Sequence, residues 1–487
     1  MTSNFVINIR RYRPMVAGTI LIIIGAFLIA VFPSGTPYEI AHQSALIMGV
    51  TIFIVSLLEF RKSPRNIIRI DLLMFVALYG LTLMEFLYSQ PDFNHLVRVE
   101  NLETVMTLIA IGFVGIAIGR HWHFRAIWQT GSQSVYLSPR AMFIMLLLFT
   151  FSGYFYMLMS VDFNPVKLVE AMIGPRFSQP WGRGRYGGLK DLLYEIGLLI
   201  YLVPAMTGVI LAQRQSFTRR QILVTQLIFL FTLFHGFSSG TRNIFVVYVI
   251  TFVCSYIMVR PNLSKGKVIQ LGIIFTIILL VSTQVILEFR REGLARYINR
   301  TVLQNEQYLQ GEVESVQRGL FIDYNLLTLS KTVDFFPNRA DYLGLEVPIW
   351  ALIKPVPRAF WPGKPKGLSI SIESVRSQRG AGAATWSATF LGESYMGGGM
   401  FGAAIAALFF GILAAWWNKR FIPTADMYQN LLYASGIFAA LISMRSLFWL
   451  TTAILPTIAL AVYAQWFHRR RNRMHVTEIK PRTQHSG

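Results

Sequence analysis

Apolar runs of about twenty residues recur along this 487-residue chain, and no other feature constrains its fold as much. They fall near 15–32, 41–60, 70–88, 102–119, 141–160, 191–212, 221–237, 243–259, 269–288, 397–417, 428–445 and 447–467. A helix rises 1.5 Å per residue, so about twenty residues cross the roughly 30 Å of hydrocarbon in a bilayer. Lipid offers no partner to backbone N–H and C=O groups, so each crossing segment must satisfy them internally as a helix. The runs therefore predict an all-α polytopic membrane protein with about twelve transmembrane helices and one large outer loop between spans nine and ten. Composition agrees, because 54% of residues are hydrophobic and only 14% charged, where a soluble domain carries nearer a quarter. Residues 15–32 follow a basic start, are long enough to span and precede no A-x-A site, so they read as an uncleaved first helix. The sole cysteine, Cys254, lies in an apolar run, which leaves no intrachain disulfide.

The formal net charge is +21. No basic domain stands apart from the spans, so nucleic acid is not the expected partner; the charge fits the positive-inside rule and anionic lipid. Arg61, Lys62, Arg65 and Arg69 flank one connection, and Arg120, Arg125 and Arg140 another. Arg214, Arg219 and Arg220, then Arg260, Lys265 and Lys267, then Lys419 and Arg420 mark three more, and Arg469, Arg470, Arg471 and Arg473 the tail. With twelve alternating spans all of these fall on one side, which places both termini in the cytoplasm. The opposite connections are poor in Lys and Arg, except the basic outer loop 161–190 and the long stretch from 289. Four parts follow: an N-terminal transmembrane bundle, 1–288; the large outer loop, 289–396, partly helical; C-terminal transmembrane helices, 397–467; and a basic cytoplasmic tail, 468–487.

The cationic outer segments carry the candidate chemistry. "SQPWGRGRYGG", 178–188, follows Arg176 and interleaves Arg183 and Arg185 with glycines. Glycine lets a backbone approach a ligand, and arginine forms forked bonds to phosphate oxygens. "SSGTRN", 238–243, puts Arg242 in a tight outer turn, and "SMRSLF", 443–448, does the same with Arg445. Snorkelling to headgroups would explain one such arginine; several on one face converge on a common compartment. "KPVPRAFWPGKPKG", 354–367, holds four prolines with Arg358, Lys364, Phe360 and Trp361. Proline excludes a helix interior there and stiffens the loop, which reduces the entropy lost on binding. Its aromatic faces suit the apolar faces of sugar rings. "TFLGESYMGGGMFG", 389–402, places Glu393 where the chain re-enters the membrane. A carboxylate there is a candidate general base or an ion-pair partner for an outer arginine; Asp323 is a second acid. No Walker motif, zinc-ligand cluster or Asp-x-Asp pair appears, so neither cofactor nor metal is expected.

The order and placement of "SGTR", "PRAFWPGKP" and "GESYMGGGMFG" resemble the Wzy-type O-antigen and oligosaccharide repeat-unit polymerases, mostly over residues 230–450. The resemblance implies a membrane glycosyltransferase that joins undecaprenyl-pyrophosphate-linked oligosaccharide units at the periplasmic face of the bacterial inner membrane, building O-antigen, capsule or exopolysaccharide. It implies roles for Arg242, Arg358 and Glu393, and as partners membrane lipids, a chain-length regulator and a repeat-unit flippase. Placement of charge adds Arg176, Arg183, Arg185 and Arg445, with Trp361 and Lys364 from the proline-rich loop. An O-antigen ligase shares the donor, and a glycan transporter shares the spans. The acids Asp71, Glu85, Glu195 and Glu288 lie near span ends, which counts against transport.

The orientation has a direct check. A reporter fused after Arg473 should behave as cytoplasmic and one inserted near Gln310 as periplasmic; the reverse would turn the arginine-rich face inward.

Overall fold

The computed structural model describes residues 13–122, 137–181, 193, 195–260, 263–290, 292–303, 325–358, 360–365, 367–370, 387–420 and 427–478. Every regular element among them is helical. The order is α1 (Val16–Val31), α2 (Pro37–Lys62), α3 (Ile70–Thr82), α4 (Val99–Gly119), α5 (Pro139–Met159) and the short α6 (Pro165–Ile173). Then come α7 (Leu202–Ala212), α8 (Arg219–Ser238), α9 (Arg242–Val259), α10 (Lys265–Phe289) and α11 (Leu294–Leu303). The last are α12 (Asn325–Phe335), α13 (Glu346–Ile353), α14 (Thr389–Asn418), α15 (Met427–Arg445), α16 (Leu447–Ala453) and α17 (Leu455–Glu478). Among the described residues nine helices are long and apolar enough to cross a membrane, counting Glu195–Ala212 and Leu447–Arg469 each as one; Val16–Val31 and Ile70–Thr82 are shorter apolar helices. Ile273, Ile277 and Val281 on α10 are each more than half exposed, an apolar outer surface that suits lipid rather than water. This is the anatomy of a membrane protein.

The ends of the helices follow local chemistry. Thr36 caps α2 with a reciprocal box to Glu39, Thr218 does so for α8 with Gln221, and Ser138 and Ser264 cap α5 and α10. Pro456 lacks the N–H that would continue the ladder, and the last apolar run breaks there into α16 and α17.

Helices α4 and α14 form the closest pair, backbone against backbone. A Cβ on Gly115 would lie 2.5 Å from the Ala407 Cβ, and one on Gly411 would lie 2.6 Å from the Ile116 carbonyl oxygen. Small residues one turn apart, Gly115 and Gly119 facing Ala407 and Gly411, allow this approach, which maximises dispersion where lipid removes the hydrophobic drive. Helix α12, although it belongs to the long stretch between α10 and α14, is buried along Asn325–Ser330 and packs against α4 and α14. That stretch is thus partly inserted into the bundle. The chain re-enters as helix at Thr389, ahead of residue 397, where the hydropathy pattern places the span.

One end of the bundle is closed by a buried ionic network. Arg69 pairs with Glu59 at 3.1 Å and Asp71 at 2.5 Å, and Arg120 pairs with Asp71 at 3.3 Å, all with fully buried side chains. Asn418 donates to Asp71, Tyr433 donates to Asn418, the Met15 N–H donates to Glu59, and Arg120 donates to Thr19. The network ties α1, α2, α3, α4, α14 and α15 together. Arg69 and Arg120, which read in the sequence as loop charges, are core residues that neutralise two carboxylates.

The α4–α14 contact makes a sharp prediction. Gly411→Val should lower the thermal midpoint in detergent or abolish folded yield, a cost of about 1–3 kcal/mol or more from overpacking against backbone. Gly266→Val should change little, because nothing lies within 4 Å of its Cβ position. Equal midpoints for the two variants would show that the helices do not pack this closely.

Candidate functional site

Of the charged residues singled out from the sequence, Arg176, Arg242, Arg358, Lys364, Glu393 and Arg445 are described, away from the ionic network. Helix α14 is broken at Gly398 and Gly399. Gly399 has φ +60°, and a Cβ there would sit 2.8 Å from the Tyr342 hydroxyl, so only glycine fits. The Leu343 N–H donates to the Met396 carbonyl at 2.8 Å, which satisfies a backbone acceptor at the break. The short first half, carrying Glu393, is thereby held inside the protein.

Glu393 is 4% exposed. Its carboxylate accepts the Ser446 hydroxyl at 2.6 Å and the Phe448 N–H at 3.3 Å. Ser446 precedes α16 and makes no side-chain cap of its own, so Glu393 supplies the cap from another helix. The carboxylate therefore fixes the junction between α15 and α16, where Arg445 ends α15. Ser387 donates to the Arg445 carbonyl, which ties that junction to the entry of α14. The Lys354 ammonium lies over the rings of Phe448 at 5.8 Å and Trp449 at 5.3 Å, on the first turn of the capped helix. Lys354 and Ser446 escaped the site reading of the sequence; a serine ahead of an apolar run is a cap signal that could have found Ser446.

The proline-rich loop uses its cations largely on itself. Arg358 donates to the carbonyls of Lys364 at 2.9 Å and Pro365 at 2.8 Å. Lys364 is buried and donates to the carbonyls of Lys354 at 2.7 Å and Val356 at 2.8 Å. Prolines leave carbonyls without a helical partner, and these two side chains take them up. Lys364 is thus a staple of the loop; Arg358, half-buried, retains further N–H groups. Phe360 and Trp361 project outward, 71% and 42% exposed. Helix α13, which leads into the loop, packs on α14 and α16, so the start of the loop at Lys354 stands beside the Glu393 junction.

Arg242 opens α9 directly after the turn at Gly240, and a Cβ on Gly240 would lie 3.5 Å from the Arg176 Cβ. Arg176 therefore stands beside the turn that leads into Arg242. Helices α9 and α15 pack together, with Tyr248 and Phe438 rings 6.5 Å apart. Arg242 lies six residues outward from Tyr248 and Arg445 seven outward from Phe438, rises of about 9 Å and about 10 Å. The two arginines thus end adjacent antiparallel helices at one level. Arg183, Arg185 and Asp323 lie outside the described residues. Among the described residues no group of three His, Cys, Asp or Glu stands together as a metal site. His235 is buried within α8, its ring edge-on to Tyr154.

Fold and site define a helical membrane protein in which a buried carboxylate, Glu393, caps α16 beside Arg445. Residues 186–459 match a family described as a domain of unknown function, DUF8712, and as the match takes in more than half of the chain, the protein belongs to that family. The matched stretch holds Arg242, Arg358, Trp361, Lys364, Glu393 and Arg445, and begins after Arg176, Arg183 and Arg185. Neither a curated protein nor a solved structure matches the chain.

The cap can be tested by stability alone. Glu393→Ala strands the Ser446 hydroxyl and the Phe448 N–H, and should cost about 1–3 kcal/mol. Glu393→Gln keeps an acceptor and should cost less. Thermal unfolding in detergent separates them; equal midpoints for wild type and Glu393→Ala would remove the capping role.

Proposed function

We propose that the protein polymerises oligosaccharide repeat units carried on undecaprenyl pyrophosphate, at the periplasmic face of a bacterial inner membrane. The observation that carries this reading is the level pairing of Arg242 and Arg445 on packed helices, with Arg176 beside the first and Glu393 anchoring the second. In this reading α1, α3 and α15 are spans in addition to the nine long apolar helices, which gives twelve, with both termini cytoplasmic. The O-antigen, capsule or exopolysaccharide grows by glycosyl transfer. An acceptor sugar hydroxyl attacks the anomeric carbon of the donor, the bond from that carbon to pyrophosphate breaks, and the configuration inverts. Pyrophosphate leaves with several negative charges, and fixed guanidiniums stabilise it as it departs. Each charge-assisted bond is worth about 1.5–3 kcal/mol. The hydroxyl proton passes to Glu393 through Ser446, whose own hydroxyl already points at the carboxylate. Trp361 offers its face to a sugar ring, and Arg358 reaches the anion from the stapled loop.

Transport of a lipid-linked glycan is the second reading, and the broken α14 favours it, since discontinuous helices line substrate sites in transporters. Ligation to a lipid core acceptor shares the donor chemistry.

Reconstituted protein supplied with the lipid-linked oligosaccharide distinguishes these. Wild type should lengthen the glycan; Arg242→Ala and Arg358→Ala should each abolish or strongly reduce long products, with poor rescue by lysine, which lacks the bidentate fork. Glu393→Gln should slow the reaction about 10²–10⁴-fold. Full-length polymer from the double alanine variant would make these arginines lipid anchors, and movement of the lipid without lengthening would support transport.

A further inference from the structure

A third arginine stands where Arg176 and Arg242 meet. Helix α10 ends at Phe289, Arg290 follows it, and α11 begins at Leu294. The Cβ position of Gly240 that lies 3.5 Å from Arg176 Cβ is also 3.5 Å from Arg290 Cα and Cγ. Arg176 and Arg290 therefore flank the glycine that Arg242 follows by two residues. Two arginines remote in sequence thus start beside Gly240, and a third lies two residues along the chain from it.

The arrangement is fixed by a second close approach. Gly293 has φ +89°, and a Cβ there would fall 2.7 Å from the Gly174 carbonyl carbon and the Pro175 nitrogen. Both are backbone atoms, so no side chain fits. Gly293, three residues after Arg290, thus seats against the backbone just before Arg176. Nearby, Glu288 accepts the Tyr297 hydroxyl at 2.7 Å and Glu292 pairs with Arg300 at 2.9 Å. Arg176, Arg242 and Arg290 all engage neighbours in the protein. A guanidinium has five N–H donors, so one already positioned can still bind an anion, and positioning lowers the entropy lost in doing so.

We propose that Arg290 is a direct ligand, with Arg176 and Arg242, of a diphosphate bound beside Gly240. This rests on the polymerase reading for the identity of the anion, a diphosphate ester of a lipid; the convergence of the three arginines does not depend on it.

The test uses full-length protein in detergent, titrated with inorganic pyrophosphate and separately with farnesyl pyrophosphate, with the thermal midpoint as readout. Wild type should bind both. Arg290→Ala should weaken both about tenfold or more, the loss of one charge-assisted bond. Arg290→Gln, which retains length and hydrogen bonding, serves if alanine does not fold and should weaken them likewise. Gly293→Ala should reproduce the loss by displacing Arg176, and Arg300→Ala should leave binding unchanged. Wild-type affinity in both Arg290 variants, with binding lost in Arg242→Ala, would overturn the inference and leave the polymerase reading standing. Weakened binding in the Arg290 variants of a protein that never lengthens glycan would support the inference and sink that reading. Absence of pyrophosphate binding by wild type, or equal competition by phosphatidylglycerol, would overturn the inference, the second by making the site a headgroup anchor.

Discussion

Four charges sealed at one end of the bundle set the frame for everything else. Arg69, Arg120, Glu59 and Asp71 have no exposed side-chain surface, and they balance. Removing one partner of such a set leaves an uncompensated buried charge, at a cost of about 3–5 kcal/mol. Because the network draws on the ends of α2, α3, α4 and α14, with Met15 before α1 and Tyr433 in α15, it fixes where those helices end relative to one another. Helix α14 carries that register across the molecule. From Asn418 in the network to Glu393 at the other end is about 37 Å of helical rise, less the break at the glycines.

The break in α14 converts a span into a support. A continuous helix would present Glu393 on a lipid- or protein-facing stripe. The interruption at Gly399, filled by Tyr342 and bridged by the Leu343 N–H, instead buries the first half against α12 and α13. From there Glu393 caps α16 and holds Ser446, so the end of α15 and its Arg445 are positioned by a carboxylate on α14. The proline-rich loop is rigid for a related reason: unsatisfied carbonyls created by proline are taken up by Arg358 and Lys364. Stiffness in both places comes from satisfying backbone groups that a regular helix would have satisfied for itself.

The sequence by itself determined the class of fold and the outward cast of residues. Apolar runs of spanning length leave helices as the solution wherever lipid is the solvent, and the arginines at 242 and 445 fall at helix ends because the runs end there. It also marked 389–402 as a re-entry and 354–367 as irregular, since glycine and proline act through local backbone physics. Only the tertiary structure decided how the charges are used. Arg69 and Arg120 look like other basic residues beside a span, yet they are buried, because Glu59 on α2 and Asp71 on α3 meet them there. Lys364 looks like a ligand for an anion and holds carbonyls instead. Glu393 has no partner within several residues of chain, and finds Ser446 and Phe448 more than fifty residues away. Arg290 gave no signal beyond ending an apolar run, and its place beside Gly240 and Arg176 comes from the packing of three turns. Hydropathy and backbone preference are local and legible in one chain; the pairing of buried charges depends on which helices become neighbours, and that is fixed by contacts such as those of Gly115 and Gly411 that carry no charge at all.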